Sequence, residues 1–154
     1  MVELSRILNA ECIKLNLDSK RKTDVIKEMV FLLFRAGKIK NPQEIGKAIL
    51  EREKLGTTGI GEGIAIPHAM TDQVTQTMLA FGRNRKGVKF NAVDQQPVKL
   101  IFLMIGPHGQ ESTHLKFLSK LSRFLNDDRF KSALMEAERE EDVLNVFLQK
   151  ETEE

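Results

Sequence analysis

The sequence has a single cysteine, Cys12, and no apolar run long enough to span a bilayer. One cysteine excludes an internal disulfide and any zinc site built from cysteines, and it suits a reducing compartment. Residues 1–6 do not show the basic segment followed by an apolar stretch with which a secretory signal begins. These absences favour a cytoplasmic protein that is not inserted in a membrane.

An excess of either charge is also lacking. The chain has 24 lysines and arginines against 22 aspartates and glutamates, and no block of five or six like charges occurs. Since a nucleic-acid-binding protein usually shows a stronger basic footprint, we expect no nucleic-acid partner. The basic cluster at Arg83, Arg85, Lys86 and Lys89 is interpreted as part of a solvated hairpin.

Length and composition together predict one domain. The chain has 154 residues, of which 41% are hydrophobic, so it can bury a hydrophobic core without additional stabilising elements. We place this domain at residues 1–150 and interpret residues 151–154 as a polar C-terminal tail.

Hydrophobic periodicity predicts strands and helices that alternate along the chain. Strands are expected where Ile13, Leu15 and Leu17 alternate with polar residues, and at 64–66, 78–81, 88–90 and 98–105. Helices are expected at about 19–36, from the Asn41-Pro42 cap to 52–54, from 112 or 113 onward, and near 129–137 and 140–148. This order predicts an α/β fold, with a mixed central β-sheet flanked by helices on both faces.

Four glycines within residues 56–63 predict a loop without regular structure. The loop leads into a short strand that ends at Pro67 and His68. Neither phosphate-binding glycine motif fits, because no Gly-Lys-Ser or Gly-Lys-Thr occurs and because the loop precedes a strand instead of a helix. The HExxH and Gly-x-Ser-x-Gly motifs are absent as well.

The three histidines are the candidates for chemistry. His68 follows a strand end, where a rigid scaffold often holds reactive groups, although a buried structural role is equally open. His114 stands near the start of a long helix, where free N–H groups favour an anion, although capping is the simpler interpretation. His108 lies in a turn between Pro107 and Gly109, which indicates an exposed position without function. Two imidazoles and a helix N-terminus are together suited to hold a phosphoryl group.

Segment 52–69, with its Gly-Ile-Gly-Glu-Gly loop and its Ile-Pro-His-Ala ending, strongly resembles the mannitol/fructose-type enzyme IIA domain of the bacterial phosphoenolpyruvate-dependent phosphotransferase system. The resemblance covers nearly the whole chain. It includes the opening Leu-Ser-Arg-Ile-Leu at 4–8, the segment 90–98, and Thr113-His114-Leu115. It therefore implies the fold and the general activity of that family.

The resemblance implies that His68 accepts a phosphoryl group, at Nε2, from a histidine-containing phosphocarrier protein. It further implies that His114 stabilises the phosphoryl group and that Arg52 stabilises its charge. Elementary chemistry agrees, since a neutral imidazole has one lone-pair nitrogen for attack and a guanidinium can pair two phosphoryl oxygens. The resemblance implies no cofactor and no metal.

The subtype is predicted from the opening segment 4–12, which most resembles the free-standing nitrogen-regulatory members, whose phosphorylation state is a signal. Because the chain ends at Glu154, we expect a free-standing protein. The alternative is a stand-alone fructose- or mannitol-specific component. The downstream partner is then a regulated kinase or transporter, or a IIB domain. Met70 stands where many relatives have a basic side chain, which bears on the choice of partner.

Two hypotheses of other classes stay open. One is an interaction module whose histidine site is regulatory or silent and is not phosphorylated. The other is a metal site made by the three histidines, although the spacing of His108 and His114 does not match ligands on one helix face.

Overall fold

A six-stranded mixed β-sheet forms the centre of the molecule in the computed structural model, which describes residues 2–154. The strands are β1 (Leu8–Lys14), β2 (Gly59–Gly61), β3 (Ile64–Ala65), β4 (His68–Met70), β5 (Met78–Val88) and β6 (Val98–Gly106). The helices are α1 (Lys22–Arg35), α2 (Pro42–Lys54), α3 (Glu111–Leu125), α4 (Asp128–Glu136) and α5 (Glu140–Thr152), and a short 3-10 helix, Leu4–Arg6, precedes β1.

The sheet order is β1-β5-β6-β3-β2, and β4 continues the edge at which β3 pairs with β6. Strand β5 runs antiparallel to β6, whereas β3 and β4 run parallel to it and β1 runs parallel to β5. The apolar run 98–105 is therefore a central strand with neighbours on both sides, as its composition predicts. The α/β class with a mixed sheet is confirmed.

Two hydrophobic clusters lie on opposite faces of this sheet. Alternate residues of β6 point to opposite sides, so Leu103 and Ile105 pack with α1 and α2, whereas Phe102 and Met104 pack with α3, α4 and α5. The expectation of helices on both faces is confirmed. No helix within residues 2–154 is both long enough and apolar enough to cross a membrane.

The prediction of two short strands with a polar turn between them is wrong, because β5 is one strand from Met78 to Val88. Arg83, which we expected on a solvated hairpin, is only 2% exposed. Its guanidinium donates to carbonyl oxygens at the C-terminal end of α4, among them that of Ala137 at 2.6 Å, and its Nε donates to Leu15 O at 3.1 Å. A polar residue therefore serves here as a buried link between the sheet and a helix.

The glycine-rich segment also contains regular structure that we did not predict. Strands β2 and β3 form a small antiparallel hairpin, and the backbone φ angles of Gly61, Glu62 and Gly63 are all positive at its turn. Gly59 packs so tightly that a Cβ there would come within 2.8 Å of Ala92. The glycines thus form a tight turn and a close contact instead of a loose loop.

Helix α1 begins at Lys22 instead of near Ser19, because Arg21 is extended and pairs with Lys89. At the other terminus, the predicted domain boundary at residue 150 lies within α5, which continues to Thr152. Glu151 accepts a 2.6 Å hydrogen bond from the backbone N–H of Leu4, so this end of the helix holds the start of the chain.

Candidate functional site

The first element of the site is His68, which begins β4. This strand pairs with β6 so that His68 lies beside Met104, and the backbone N–H of Met104 donates to Pro67 O at 3.0 Å. The His68 side chain is half-buried, and its Nδ1 lies 2.9 Å from Ile66 O. Because a carbonyl oxygen only accepts, Nδ1 must carry the proton of this hydrogen bond. In the neutral ring Nε2 then has the free lone pair.

The second element is His114, in the first turn of α3. Its backbone N–H donates to Gln110 O at 3.0 Å, and its side chain is only 5% exposed. The centroids of the His68 and His114 rings are 5.7 Å apart, and the ring planes meet at 48°. The structure therefore brings together two residues that are 46 positions apart in the sequence.

Among residues 2–154, the His114 imidazole has no hydrogen-bond partner at either ring nitrogen. Burial lowers the pKa of His114 to about 4, with a further lowering by the nearby His68 and a smaller opposing effect of Glu111. The ring is therefore neutral near pH 7, with one N–H to donate. Buried polar atoms are rarely left unpartnered in proteins, so this pair of nitrogens marks a place for a polar ligand. The N-terminal end of α3, close to His114, further favours an anionic one.

Gly106 provides the space for the His114 ring. It is the last residue of β6, and a Cβ there would lie 2.8 Å from His114 Nδ1 and 3.2 Å from Thr77 Oγ1. Neither Gly106 nor Thr77 was singled out from the sequence as a residue of the site. The glycine at the end of a buried strand was the one sequence signal for a close contact there. The sequence did not show what it contacts, because its neighbours come from other parts of the chain.

Arg52 lies in the last turn of α2, at the entrance to the glycine hairpin. Its Nη1 donates to Gly56 O at 2.9 Å, which ties the side chain to the start of the hairpin. Within residues 2–154, no hydrogen bond joins Arg52 to His68 or His114. The structure therefore places Arg52 beside the loop that leads to His68, but it does not bring the guanidinium into hydrogen-bond contact with either imidazole.

A buried carboxylate next to Arg52 holds the hairpin in place. Glu53 is 8% exposed, and it accepts from Lys22 Nζ at 2.8 Å and from the backbone N–H of Thr58 at 3.2 Å. The Thr58 hydroxyl also donates to it. Because one carboxylate links α1, α2 and the hairpin, the chain approaches His68 on a fixed path. The sequence analysis missed this residue, since a charged side chain at a helix end is usually exposed.

The remaining residues singled out from the sequence lie at the margin of the site. His108 is exposed in the turn after β6, and Met70 is half-buried at the end of β4, where it pairs with Gly106. In the part of the chain that the structure describes, no three His, Cys, Asp or Glu side chains are grouped so as to hold a metal ion.

The geometry suits one kind of chemistry. The ring of His68 is held by a backbone carbonyl with a free lone pair at Nε2, and the neutral His114 ring lies beside it with an N–H to donate. An electrophile that carries negative charge on its oxygens can bond to Nε2 while His114 stabilises that charge.

A family model matches residues 6–150, and its description is phosphoenolpyruvate-dependent sugar phosphotransferase system, EIIA 2. A fructose-specific EIIABC component of Bacillus subtilis is 43% identical over 148 residues, which are 96% of this chain and 23% of that protein. A fructose-specific EIIA component of Haloferax volcanii is 37% identical over 147 residues, 96% of each chain. The chain thus spans about a quarter of the first relative and nearly all of the second.

Solved structures show the same similarity. The crystal structure of nitrogen regulatory protein IIA-Ntr from Neisseria meningitidis matches with a TM-score of 0.86 and 34% identity, over 93% of this chain and 97% of that one. A complex of enzyme IIAMTL and phosphorylated enzyme IIBMTL from Escherichia coli matches with a TM-score of 0.77 and 26% identity, over 92% of this chain and 96% of the matched one.

Proposed function

The chain belongs to the EIIA type 2 family of the phosphoenolpyruvate-dependent sugar phosphotransferase system, and on that premise we propose that it carries a phosphoryl group on Nε2 of His68. The observation that carries the proposal is the hydrogen bond from His68 Nδ1 to Ile66 O, which leaves Nε2 as the nucleophile. The donor that we propose is the phosphohistidine of a histidine-containing phosphocarrier protein, and the location is the cytoplasm.

The transfer balances without a cofactor. The N–P bond of the donor breaks, and the donor ring, protonated at its other nitrogen, leaves with the electron pair as a neutral imidazole. A new N–P bond forms at Nε2 of His68, whose ring takes up the positive charge. No proton has to leave Nε2, and the proton on Nδ1 stays in its hydrogen bond to Ile66 O. The protein has mainly to align the two rings and to stabilise the charge on the three phosphoryl oxygens.

We assign the stabilising roles to His114 and Arg52. His114 is neutral and buried, with an unpartnered N–H beside the nucleophile, so a phosphoryl oxygen gives it the acceptor that it lacks. Arg52 is held at the hairpin entrance by Gly56 O, and a guanidinium can exchange this contact for two phosphoryl oxygens. That exchange places a positive charge at the phosphorylated site.

The nitrogen-regulatory subtype remains our proposal for the role of the phosphoryl group. Its support is the match to the Neisseria meningitidis structure, which extends over almost all of both chains. In this role the phosphorylated and free forms differ in their binding to a regulated kinase or transporter.

A second candidate is delivery to a IIB domain for sugar uptake. The 43% identity to the Bacillus subtilis fructose-specific protein favours it, since this value exceeds the 34% to the nitrogen regulatory structure. The similarity to IIAMTL, which was solved in a complex with phosphorylated IIBMTL, supports a IIB domain as the partner.

The test is intact-mass analysis after incubation with phosphoenolpyruvate, enzyme I and the phosphocarrier. We expect one phosphoryl adduct that is labile in acid and stable in base, present in wild type and in the control His108→Ala, and absent in His68→Ala. An adduct of equal size in His68→Ala would overturn the proposal. No adduct in wild type with active donors would leave a non-phosphorylated interaction module.

The subtypes are separated by a second step. The phosphorylated protein is purified and mixed with a fructose-type IIB domain, and the adduct on each chain is followed over time. Rapid transfer to the IIB domain is expected for the sugar-uptake role, and retention on His68 for the regulatory role.

A further inference from the structure

The C-terminal ends of β4 and β6 and the N-terminal end of β5 meet at the site. Met70 at the end of β4 pairs with Gly106 of β6, and Met78 at the start of β5 pairs with Ile105. Thr77, one residue before β5, therefore lies across from Gly106 on the side opposite to β4. Residues two apart share a face, so Gly106 and His68 point to the face that carries Met104 and is covered by α3.

The His114 ring lies above Gly106, between these two flanks. Thr77 is on one side of it, and His68 and Met70 are on the other. His114 Nδ1 and Thr77 Oγ1 approach the same point, since a Cβ on Gly106 would be 2.8 Å from the first and 3.2 Å from the second. Nδ1 is thus the ring nitrogen that faces Gly106, and the Thr77 hydroxyl faces the same residue.

Both of these atoms lack a partner. In residues 2–154, only three buried side-chain nitrogen or oxygen atoms have no hydrogen bond, and they are Thr77 Oγ1, His114 Nδ1 and His114 Nε2. Thr77 is 7% exposed, so water does not readily satisfy its hydroxyl. Three unpartnered atoms on two adjacent side chains are better explained by one shared function than by three separate defects.

We propose that Thr77 is a positioning residue of the phosphoryl site, whose hydroxyl donates to His114 Nδ1 and so fixes the His114 proton on Nε2. In the present conformation the two atoms are not hydrogen-bonded, and a rotation of the hydroxyl-bearing side chain and the ring toward each other closes the contact. This role deepens the proposed function, and it depends on His68 as the phosphoryl acceptor.

The tautomer of His114 determines whether its ring stabilises or destabilises the negative charge on the phosphoryl oxygens. A neutral imidazole has one N–H and one lone pair. With the proton on Nε2, the ring donates to a phosphoryl oxygen on the side away from Thr77. With the proton on Nδ1, a lone pair would face the negative oxygens instead. A threonine hydroxyl can donate or accept, but the Thr77 hydroxyl has no other acceptor for its proton in residues 2–154, so donation to Nδ1 favours the first arrangement.

The test uses nitrogen-15 NMR of the histidine rings in the unphosphorylated protein, where protonated and lone-pair nitrogens have well-separated shifts. The variants are Thr77→Val, which keeps the shape and removes the hydroxyl, Thr77→Ser, which restores it, and the control Thr75→Val at an exposed neighbour. We expect the Nε2–H tautomer of His114 in wild type, Thr77→Ser and Thr75→Val. In Thr77→Val we expect a mixture or the Nδ1–H tautomer.

The rate of phosphoryl uptake is measured on the same four proteins. The loss of one orienting hydrogen bond should slow Thr77→Val by about tenfold, with recovery in Thr77→Ser. An Nδ1–H tautomer in wild type, or an unchanged tautomer and rate in Thr77→Val, would overturn the inference. If wild type takes up no phosphoryl group, the proposed function fails, whereas the tautomer still reports on the Thr77 contact by itself.

Discussion

The strand end that carries His68 and the helix start that carries His114 hold their imidazoles in opposite ways. His68 is half-buried, and the backbone carbonyl of Ile66 fixes its ring. His114 is almost fully buried, and no group in the described part of the chain forms a hydrogen bond with either of its ring nitrogens. The orienting hydrogen bond of the His68 ring is present without a ligand. In the proposed mechanism, the His114 ring gains a hydrogen-bond partner only when the phosphoryl group binds.

This difference gives a physical basis for the two roles that the resemblance implies for His68 and His114. A nucleophile has to be oriented in advance, and a hydrogen bond to the carbonyl oxygen two residues earlier in the chain does this for His68. A group that stabilises charge has to interact more strongly with the charged state than with the empty site, and an unsatisfied buried donor meets that condition. We therefore expect changes near His68 to abolish transfer and changes near His114 to slow it.

Among the changes that test this contrast between the two rings, the largest effect on the rate of phosphoryl transfer is expected for His114→Ala. Removal of one preorganised donor from a charge-stabilising site slows transfer by about 100- to 1,000-fold, while His68 can still form the bond. Rapid-quench measurement of phosphoryl uptake checks the rate, with His108→Ala as the control. A rate equal to that of wild type would remove His114 from the mechanism.

The second prediction concerns pH and stability. The pKa of His114 is about 4 in the folded protein and 6.5 without burial, so between these values the unfolded chain binds more protons. Stability should therefore fall as the pH drops from 6.5 to 4, by about 3 kcal/mol from this residue. Urea unfolding at several pH values compares wild type with His114→Asn.

The His114→Asn variant should lack most of the decrease in unfolding free energy between pH 6.5 and pH 4. A second slope is expected at lower pH from Glu28. Burial alone would raise the pKa of Glu28, but hydrogen bonds from Lys14, Asp18 and Ser19 lower it to about 2. Its contribution is lost between pH 4.5 and 2, below the His114 window. Parallel curves for wild type and His114→Asn above pH 4.5 would contradict a buried neutral ring.

The third prediction is for Gly106→Ala. The new Cβ would lie 2.8 Å from His114 Nδ1 in a buried strand, so the ring has to move, at a cost of about 1–3 kcal/mol in unfolding free energy. Phosphoryl uptake should slow as well. Gly46→Ala is the matched control, because it has open space in α2 and should stabilise the helix by about 0.5–1 kcal/mol. Urea unfolding and uptake rates that change alike in both variants would refute the close packing.

The smallest effect is expected for Arg52→Ala, since Arg52 has no hydrogen bond to either ring in the unphosphorylated structure. We expect uptake to slow by about tenfold, which corresponds to one charge-assisted hydrogen bond. Lys54→Ala, which removes an exposed cation from the same helix end, should leave the rate unchanged. Equal effects of the two variants would indicate only a general contribution of positive charge.

Local patterns predicted those parts of the fold that local interactions determine. The Asn41-Pro42 cap correctly predicted the start of α2, and the apolar run at 98–105 predicted the central strand. Such features depend on residues close together in the sequence. The prediction that His68 follows the end of a strand is wrong, because β3 ends at Ala65 and His68 is the first residue of β4.

Features that depend on distant partners were missed. Arg83 interrupts the apolar pattern of β5, and its burial could not be predicted because the carbonyl groups that accept its hydrogen bonds lie at residues 15 and 134–137. Thr77 and Gly106 give no sign in the sequence of their contact with His114, since the sheet register alone brings them together. The hydrophobic periodicity of the sequence likewise did not predict the burial of His114, which determines its pKa.

The most direct test of the account is the position of the N–P bond in the phosphorylated protein. Phosphorus-31 and nitrogen-15 NMR of the uniformly labelled adduct identify both the histidine and the ring nitrogen. We expect the bond at Nε2 of His68, with the proton still on Nδ1. A bond at Nδ1 of His68, or at either nitrogen of His114, would contradict the assignment of one ring as nucleophile and the other as stabilising donor.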